Sequence, residues 1–198
     1  NWEVYGAIII GNSCLIILLY GLQSWVPTML LRVYEWDLIQ SGRVYGSIAM
    51  LAGSAGVLSG PFVLRYMSKI NVNAPHFKLA IIGITMATFS LVLLPFQPNV
   101  NIALVFVTMA SFFVTLPLAG TSSAMVIVSP NRIRGVITGI YVVVTSVFGL
   151  VLGPFLVASS TDFIFQDTNA VAKSLALVSI LVGPVGIFFM YKGINSFG

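Results

Sequence analysis

The sequence has very little charge. Only 7% of its 198 residues are Asp, Glu, Lys or Arg, whereas 58% are hydrophobic, and the mean hydropathy is +1.04. A soluble globule of this size needs far more polar surface than these residues can provide. The scarcity of charge therefore excludes a soluble domain and places the chain in a bilayer.

Cysteine and histidine are almost missing. Cys14 is the only cysteine and His76 the only histidine, so the chain can form neither an internal disulfide nor a histidine and cysteine metal site. An intramembrane enzyme would need a nucleophile beside a buried base, or clustered carboxylates and histidines, and no acid or base lies deep in an apolar run. We expect no enzyme activity, no catalytic residue, no metal and no cofactor.

The sequence also lacks a secretory leader. No basic segment followed by a short apolar core and a cleavage site occurs near Asn1, which is not a methionine, so we expect no signal peptide. We expect the chain to be a segment of a longer protein.

Long uncharged runs are what the sequence does contain. They cover residues 4–31, 44–64, 79–131, 135–161 and 174–191. A spanning helix takes roughly 20 residues at about 1.5 Å each, so the third run holds two helices and each other run holds one. We predict an all-α membrane protein with six transmembrane helices, at about residues 5–31, 44–66, 76–96, 100–128, 135–164 and 171–191.

The charged residues distinguish the two ends of this bundle. If the six spans alternate in direction, six basic residues lie on the side of Asn1: Arg65, Lys69, Lys78, Arg132, Arg134 and Lys192. The opposite side has three basic residues and four of the five acids: Arg32, Arg43, Lys173, Glu35, Asp37, Asp162 and Asp167. The positive-inside rule then makes both termini of the segment cytoplasmic. Because the basic residues are spread over loop ends, they favour anionic lipid head groups over nucleic acid.

Polar and small residues recur at helical spacing inside the spans. In the first span Asn12 and Gln23 are about three turns apart on one face, and Pro27 predicts a kink or a partly unwound turn. In the fourth span Thr108, Ser111, Thr115 and Ser122 form one stripe, and in the fifth Thr138, Tyr141 and Thr145 share a face. Such groups either bond the backbone and neighbouring helices or line a solute path.

Three features of the sequence together resemble the major facilitator superfamily: the segment Gly60 to Lys69 after the second span, the turn Pro130 to Gly135 before the fifth, and Gly149-x-x-x-Gly153-Pro154 within it. The resemblance covers essentially the whole chain. The string from Ser129 through Pro154 to Asp162, Phe163 and Phe165, with Ser174-Leu175-Ala176, is similar to the carboxy-terminal half of spinster-like members.

One hallmark of that superfamily is altered here. The turn after the second helix normally reads Gly-x-x-x-Asp-Arg-x-Gly-Arg-Lys, but Leu64 replaces its aspartate and Met67 its second glycine. Gly60, Arg65 and Lys69 match. The fourth span also lacks the arginine that is usual in the fourth helix of the first half. The resemblance therefore implies helices 7–12, one half of a twelve-helix major facilitator fold, with the amino-terminal half absent.

The resemblance also implies a function. We expect secondary active transport of a small organic or amphipathic solute by alternating access, in a bacterial inner (plasma) membrane, with the amino-terminal six-helix half and membrane lipids as partners. The candidate substrate-binding residues are Asn12, Tyr20, Gln23, Trp25, Thr115, Tyr141 and Thr145. The candidate gating or cytoplasmic-loop residues are Gly60, Arg65, Lys69, Arg132 and Arg134. The alternative is a six-helix scaffold or receptor domain that does not transport.

Overall fold

The computed structural model describes the backbone of residues 2–197 and the side chains of residues 4–195. Its long helices are α1 Trp2–Val33, α2 Leu38–Lys69, α3 Pro75–Leu93, α4 Val100–Thr115, α5 Leu118–Val128, α6 Arg134–Ser159 and α7 Val171–Phe197. A 3₁₀ turn, Leu94–Phe96, extends α3, and a π-helical segment, Ser160–Phe165, extends α6. Because α4 and α5 together form the fourth span, the described residues contain six helices that can cross a membrane, as predicted.

The second span is longer than predicted at both ends. Asp37 caps α2, since its carboxylate accepts a hydrogen bond of 3.1 Å from the backbone N–H of Ile39, and this cap starts the helix at Leu38 instead of residue 44. At the other end the helix continues to Lys69. Gly60 and Arg65 therefore lie inside this helix and Lys69 is its last residue, so the structure has no turn from Gly60 to Lys69, and a gating role for these residues stays a prediction.

The helix break is not where the sequence predicted it. α1 passes through Pro27 without an unwound turn, whereas the fourth span is interrupted between Thr115 and Leu118. Pro117 lies at this interruption and has no N–H to donate to the carbonyl of Phe113. The Thr115 hydroxyl donates to the carbonyls of Ser111, at 2.9 Å, and Phe112, at 3.0 Å.

α1 is the central helix of the bundle. Buried residues make up 61% of its most apolar 18-residue stretch, against 22% for the second span and 28% for the fifth. Glycines allow the close contacts. On α6, Gly149 and Gly153 lie against α1, and on α2, Gly56 and Gly60 lie against the backbone of the fourth span. Broad faces of α2 and α6 remain uncovered.

Hydrogen bonds between connectors confirm that the spans alternate. At one end the Tyr34 hydroxyl donates to the carbonyl of Gln97 at 2.7 Å, and Arg32 donates to the carbonyl of Thr168 at 3.3 Å. Burial raises the pKa of Tyr34 above its ordinary value. At the opposite end the Tyr5 hydroxyl donates to the carbonyl of Val128 at 3.1 Å.

Candidate functional site

A cavity of about 500 Å³ lies between α1, α2 and the fourth span. Its lining consists of Leu19, Gln23, Tyr45, Ala49, Gly53, Ser54, Val57, Leu58, Ser111, Thr115 and Leu118. None of these residues is charged. Ser54 lies near the middle of α2 and Thr115 near the middle of the fourth span, so the cavity is at mid-depth in the bundle.

Small residues on α2 create this space. Tyr45, Ala49 and Gly53 follow one another at intervals of four, and so form one row on the helix. A Cβ atom built on Gly53 would be 3.9 Å from the Cγ2 atom of Thr115, in ordinary contact. The cavity exists because the side chains of Ala49 and Gly53 are only a methyl group and a hydrogen atom. Larger side chains at these two positions would fill the space.

Two of the predicted substrate-binding residues line this cavity. Gln23 is exposed at its edge, and Thr115 is 6% exposed in its wall. The prediction missed two polar neighbours, Tyr45 and Ser111, which are 6% and 4% exposed. Ser111 belongs to the polar stripe of the fourth span, and its helical spacing from Thr115 was enough to predict it as a further candidate binding residue. Tyr45 has no such signal, because only the fold brings it opposite Ser111.

Asn12 and Tyr141 lie together in a different place. The Thr121 hydroxyl donates to the side-chain oxygen of Asn12 at 2.7 Å, and the hydroxyls of Ser122 and Tyr141 are 3.4 Å apart. Asn12 is 2% exposed and Tyr141 is 3% exposed. This buried polar cluster joins α1, α5 and α6. Its groups contact one another, and a role for them in solute binding stays a prediction.

Of the other three candidates, Trp25 and Tyr20 lie in the contact between α1 and α6, and Thr145 is buried on α6. The indole N–H of Trp25 donates to the carbonyl of Pro154 at 3.0 Å, and the Thr145 hydroxyl donates to the carbonyl of Tyr141 at 2.8 Å. Tyr20 lies against Gly153. Trp25 and Tyr20 join the two helices, whereas the Thr145 hydrogen bond is internal to α6, and a role for the three in solute binding stays a prediction.

Four of the five candidate gating residues share one end of the bundle, and the fifth, Gly60, lies against the backbone of Leu116 in the middle of the fourth span. Arg65, Lys69 and Arg132 are exposed, and Arg134 donates to the carbonyl of Ser129 at 3.4 Å. Leu64 stands where the superfamily has its aspartate, and it packs in an apolar cluster with Leu79 and Leu116. At this position the chain uses apolar packing and has no carboxylate to pair with a basic residue.

A second cavity, of about 550 Å³, lies at this basic end. It is lined by Tyr5, Ile9, Met125, Val128, Pro130, Ile133, Ile137 and Ile140. At about 100° per residue, the α1 residues that line the two cavities, Tyr5, Ile9, Leu19 and Gln23, fall within one face of that helix. Both cavities therefore open along the same side of α1.

No three His, Cys, Asp or Glu side chains among the described residues come close enough together to hold a metal ion. The single histidine, His76, has its Nδ1 atom 3.0 Å from the carbonyl oxygen of Gly120. Its ring is thus part of the contact between α3 and α5.

The comparison with solved structures finds this architecture in known proteins. Neither a protein-family model nor a curated protein matches the sequence. Two crystal structures of a bacterial homologue of the human lysosomal transporter spinster are similar to the chain, both inward-facing. The unoccupied one has a TM-score of 0.78 at 13% identity, and the occupied one has a TM-score of 0.70 at 14% identity. Each match covers 98% of this chain and 48% of the other.

These likenesses show the fold. The chain is an integral membrane protein with six spanning helices, and its fold matches about half of the spinster homologue's fold. It spans about half the length of the structures that it resembles.

Proposed function

We propose that this chain forms one wall of a secondary active transporter, which moves a small organic or amphipathic solute by alternating access. The observation that carries the proposal is the uncharged cavity at mid-depth, with Gln23 and Ser54 exposed in its lining. In transporters built from two bundles, the solute site lies near the bilayer midplane where the bundles meet. A scaffold or receptor domain that does not transport has no need of such a space.

The uncovered faces of the bundle support a companion half. Leu58 on α2 is 67% exposed and Val151 on α6 is 59% exposed, although both helices lie beside the cavities. We propose that an amino-terminal six-helix half covers part of these faces, that membrane lipids cover the rest, and that the chain corresponds to helices 7–12. The solved relatives, about twice as long as this chain, support that arrangement.

Cysteine labelling of the whole protein tests alternating access without a known solute. In a Cys14→Ala background, we expect Ser54→Cys to react with a membrane-impermeant maleimide added from either side of the membrane, because the cavity opens to each side in turn. Phe89→Cys is the control. Phe89 is 57% exposed on α3 and faces lipid in this proposal, so it should react from neither side. Reaction of Ser54→Cys from one side alone, under all conditions, would contradict transport and favour the scaffold.

The proposed orientation, with both termini cytoplasmic, has a separate test. Arg132 and Asp162 are both exposed and lie at opposite ends of the bundle. In a bacterial inner membrane, we expect an impermeant maleimide to label Asp162→Cys on intact spheroplasts and Arg132→Cys only on inverted vesicles. The converse pattern would reverse the orientation and leave the fold unchanged.

A further inference from the structure

The hydroxyl of Ser111 is buried and has no hydrogen-bond partner among the described residues. The other serines and threonines of the fourth span each donate to a backbone carbonyl three or four residues earlier: Thr108, Thr115, Thr121, Ser122 and Ser123. That bond is the usual one for a hydroxyl in a membrane helix. Ser111 does not form it, and an unpaired polar group is costly where no bulk water is available. Ser111 also lines the cavity, so a polar group in that cavity is a candidate partner for this hydroxyl.

Tyr45 of α2 supplies a second hydroxyl at the same place. Its side chain lies beside Ser111, and the Ser111 hydroxyl has no hydrogen-bond partner with good geometry among the described residues, Tyr45 included. Both residues line the cavity, together with apolar side chains such as Leu19, Val57 and Leu118. Two neighbouring hydroxyls that do not bond each other can both donate to one oxygen atom placed between them.

We propose that a neutral carbonyl oxygen of the transported solute binds between Ser111 and Tyr45 and accepts a hydrogen bond from each. A carbonyl oxygen has two lone pairs, which match the two donors. No lining residue of this chain carries a charge that would compensate a carboxylate or an ammonium group placed beside these two hydroxyls in a low-dielectric site. The neighbouring leucines and valine receive an apolar part of the solute. The inference rests on the proposed function and narrows it to amides, esters and ketones that carry an apolar group.

Competition among probes of equal chain length tests this chemistry. The whole protein in lipid nanodiscs is crosslinked with a photoreactive, diazirine-bearing decanamide, and decanamide, decanoate, decylammonium and decane compete with it. We expect decanamide to compete at least tenfold better than the other three. Ser111→Ala and Tyr45→Phe should each weaken its competition about fivefold, which is the loss of one neutral hydrogen bond. Crosslinks should map to the helices that line the cavity.

Two controls make the result decisive. Ser123→Ala removes a hydroxyl from the same span, but this hydroxyl donates to the carbonyl of Ala119 at 2.8 Å and is exposed, so binding should not change. Ser111→Ala should leave the melting temperature equal or higher, because it removes an unpaired group. Equal competition by all four probes, or unchanged decanamide binding by Ser111→Ala, would overturn the inference. The proposed function would still stand, since labelling of Ser54→Cys tests it independently.

Discussion

Gly153→Leu is expected to prevent the protein from accumulating in a folded form. A Cβ atom built on Gly153 would lie 2.7 Å from the carbonyl oxygen of Ile17 and 3.0 Å from the backbone nitrogen of Gly21. Both atoms belong to the backbone of α1 and cannot rotate away, so α6 must move. Overpacking typically costs about 1–3 kcal/mol, which we expect already for Gly153→Ala. The leucine adds three more carbons and also separates Trp25 from the carbonyl of Pro154.

Gly139→Leu is the matched control, on the same helix. A Cβ atom at Gly139 meets nothing within 4 Å, and replacing a helical glycine gains up to about 1 kcal/mol of helix propensity. The measurement is the fraction of whole protein that remains monodisperse in size-exclusion chromatography after heating in detergent. Recovery of folded Gly153→Leu at the level of the unaltered protein would mean that α6 does not cross α1 at Gly153.

The number of spans could be predicted because the bilayer imposes a length. Every uncharged run had to fold into helices of about 20 residues, since only a helix satisfies its backbone within a single segment in lipid. The ends could not be predicted from the runs. Arg43 appeared to bound the second span, but Asp37 caps the helix six residues earlier. Pro27 and Pro117 look alike in sequence, yet only the second interrupts its span.

Helical spacing predicted only some of the residues of the candidate site. Helical spacing shows which residues share a face, but it does not show which helix covers that face. Gln23 and Thr115 were both on polar stripes and do share the cavity. Asn12 was on the same stripe as Gln23, but Thr121, 109 residues away in sequence, covers it and accounts for its burial. Contacts of that kind depend on how the spans cross, which periodicity does not contain.

Gly53→Phe is expected to close the cavity while the protein stays folded. The first carbon of the new side chain fits at 3.9 Å from Thr115, and the ring then extends into the space that Ala49 and Gly53 leave open. With Cys14→Ala and Gln23→Cys as the background, the maleimide labelling rate at position 23 should fall about tenfold, equivalent to about 1.4 kcal/mol. Transport by the whole protein should be lost as well.

Two neighbouring substitutions separate a filled cavity from a damaged fold. Gly53→Ala leaves most of the space open, so both the labelling rate and the melting temperature should stay unchanged. Gly56→Ala, three residues further along α2, would place its Cβ atom against the backbone of Phe112 and the side chain of Thr115, and should lower the melting temperature instead. Gly53→Phe is predicted to slow labelling without lowering the melting temperature, so unaltered labelling of Gln23→Cys would show that the reagent does not reach this residue through the cavity. The proposal that a solute enters this cavity between α1, α2 and the fourth span would then be wrong, although the six-helix fold would not be in question.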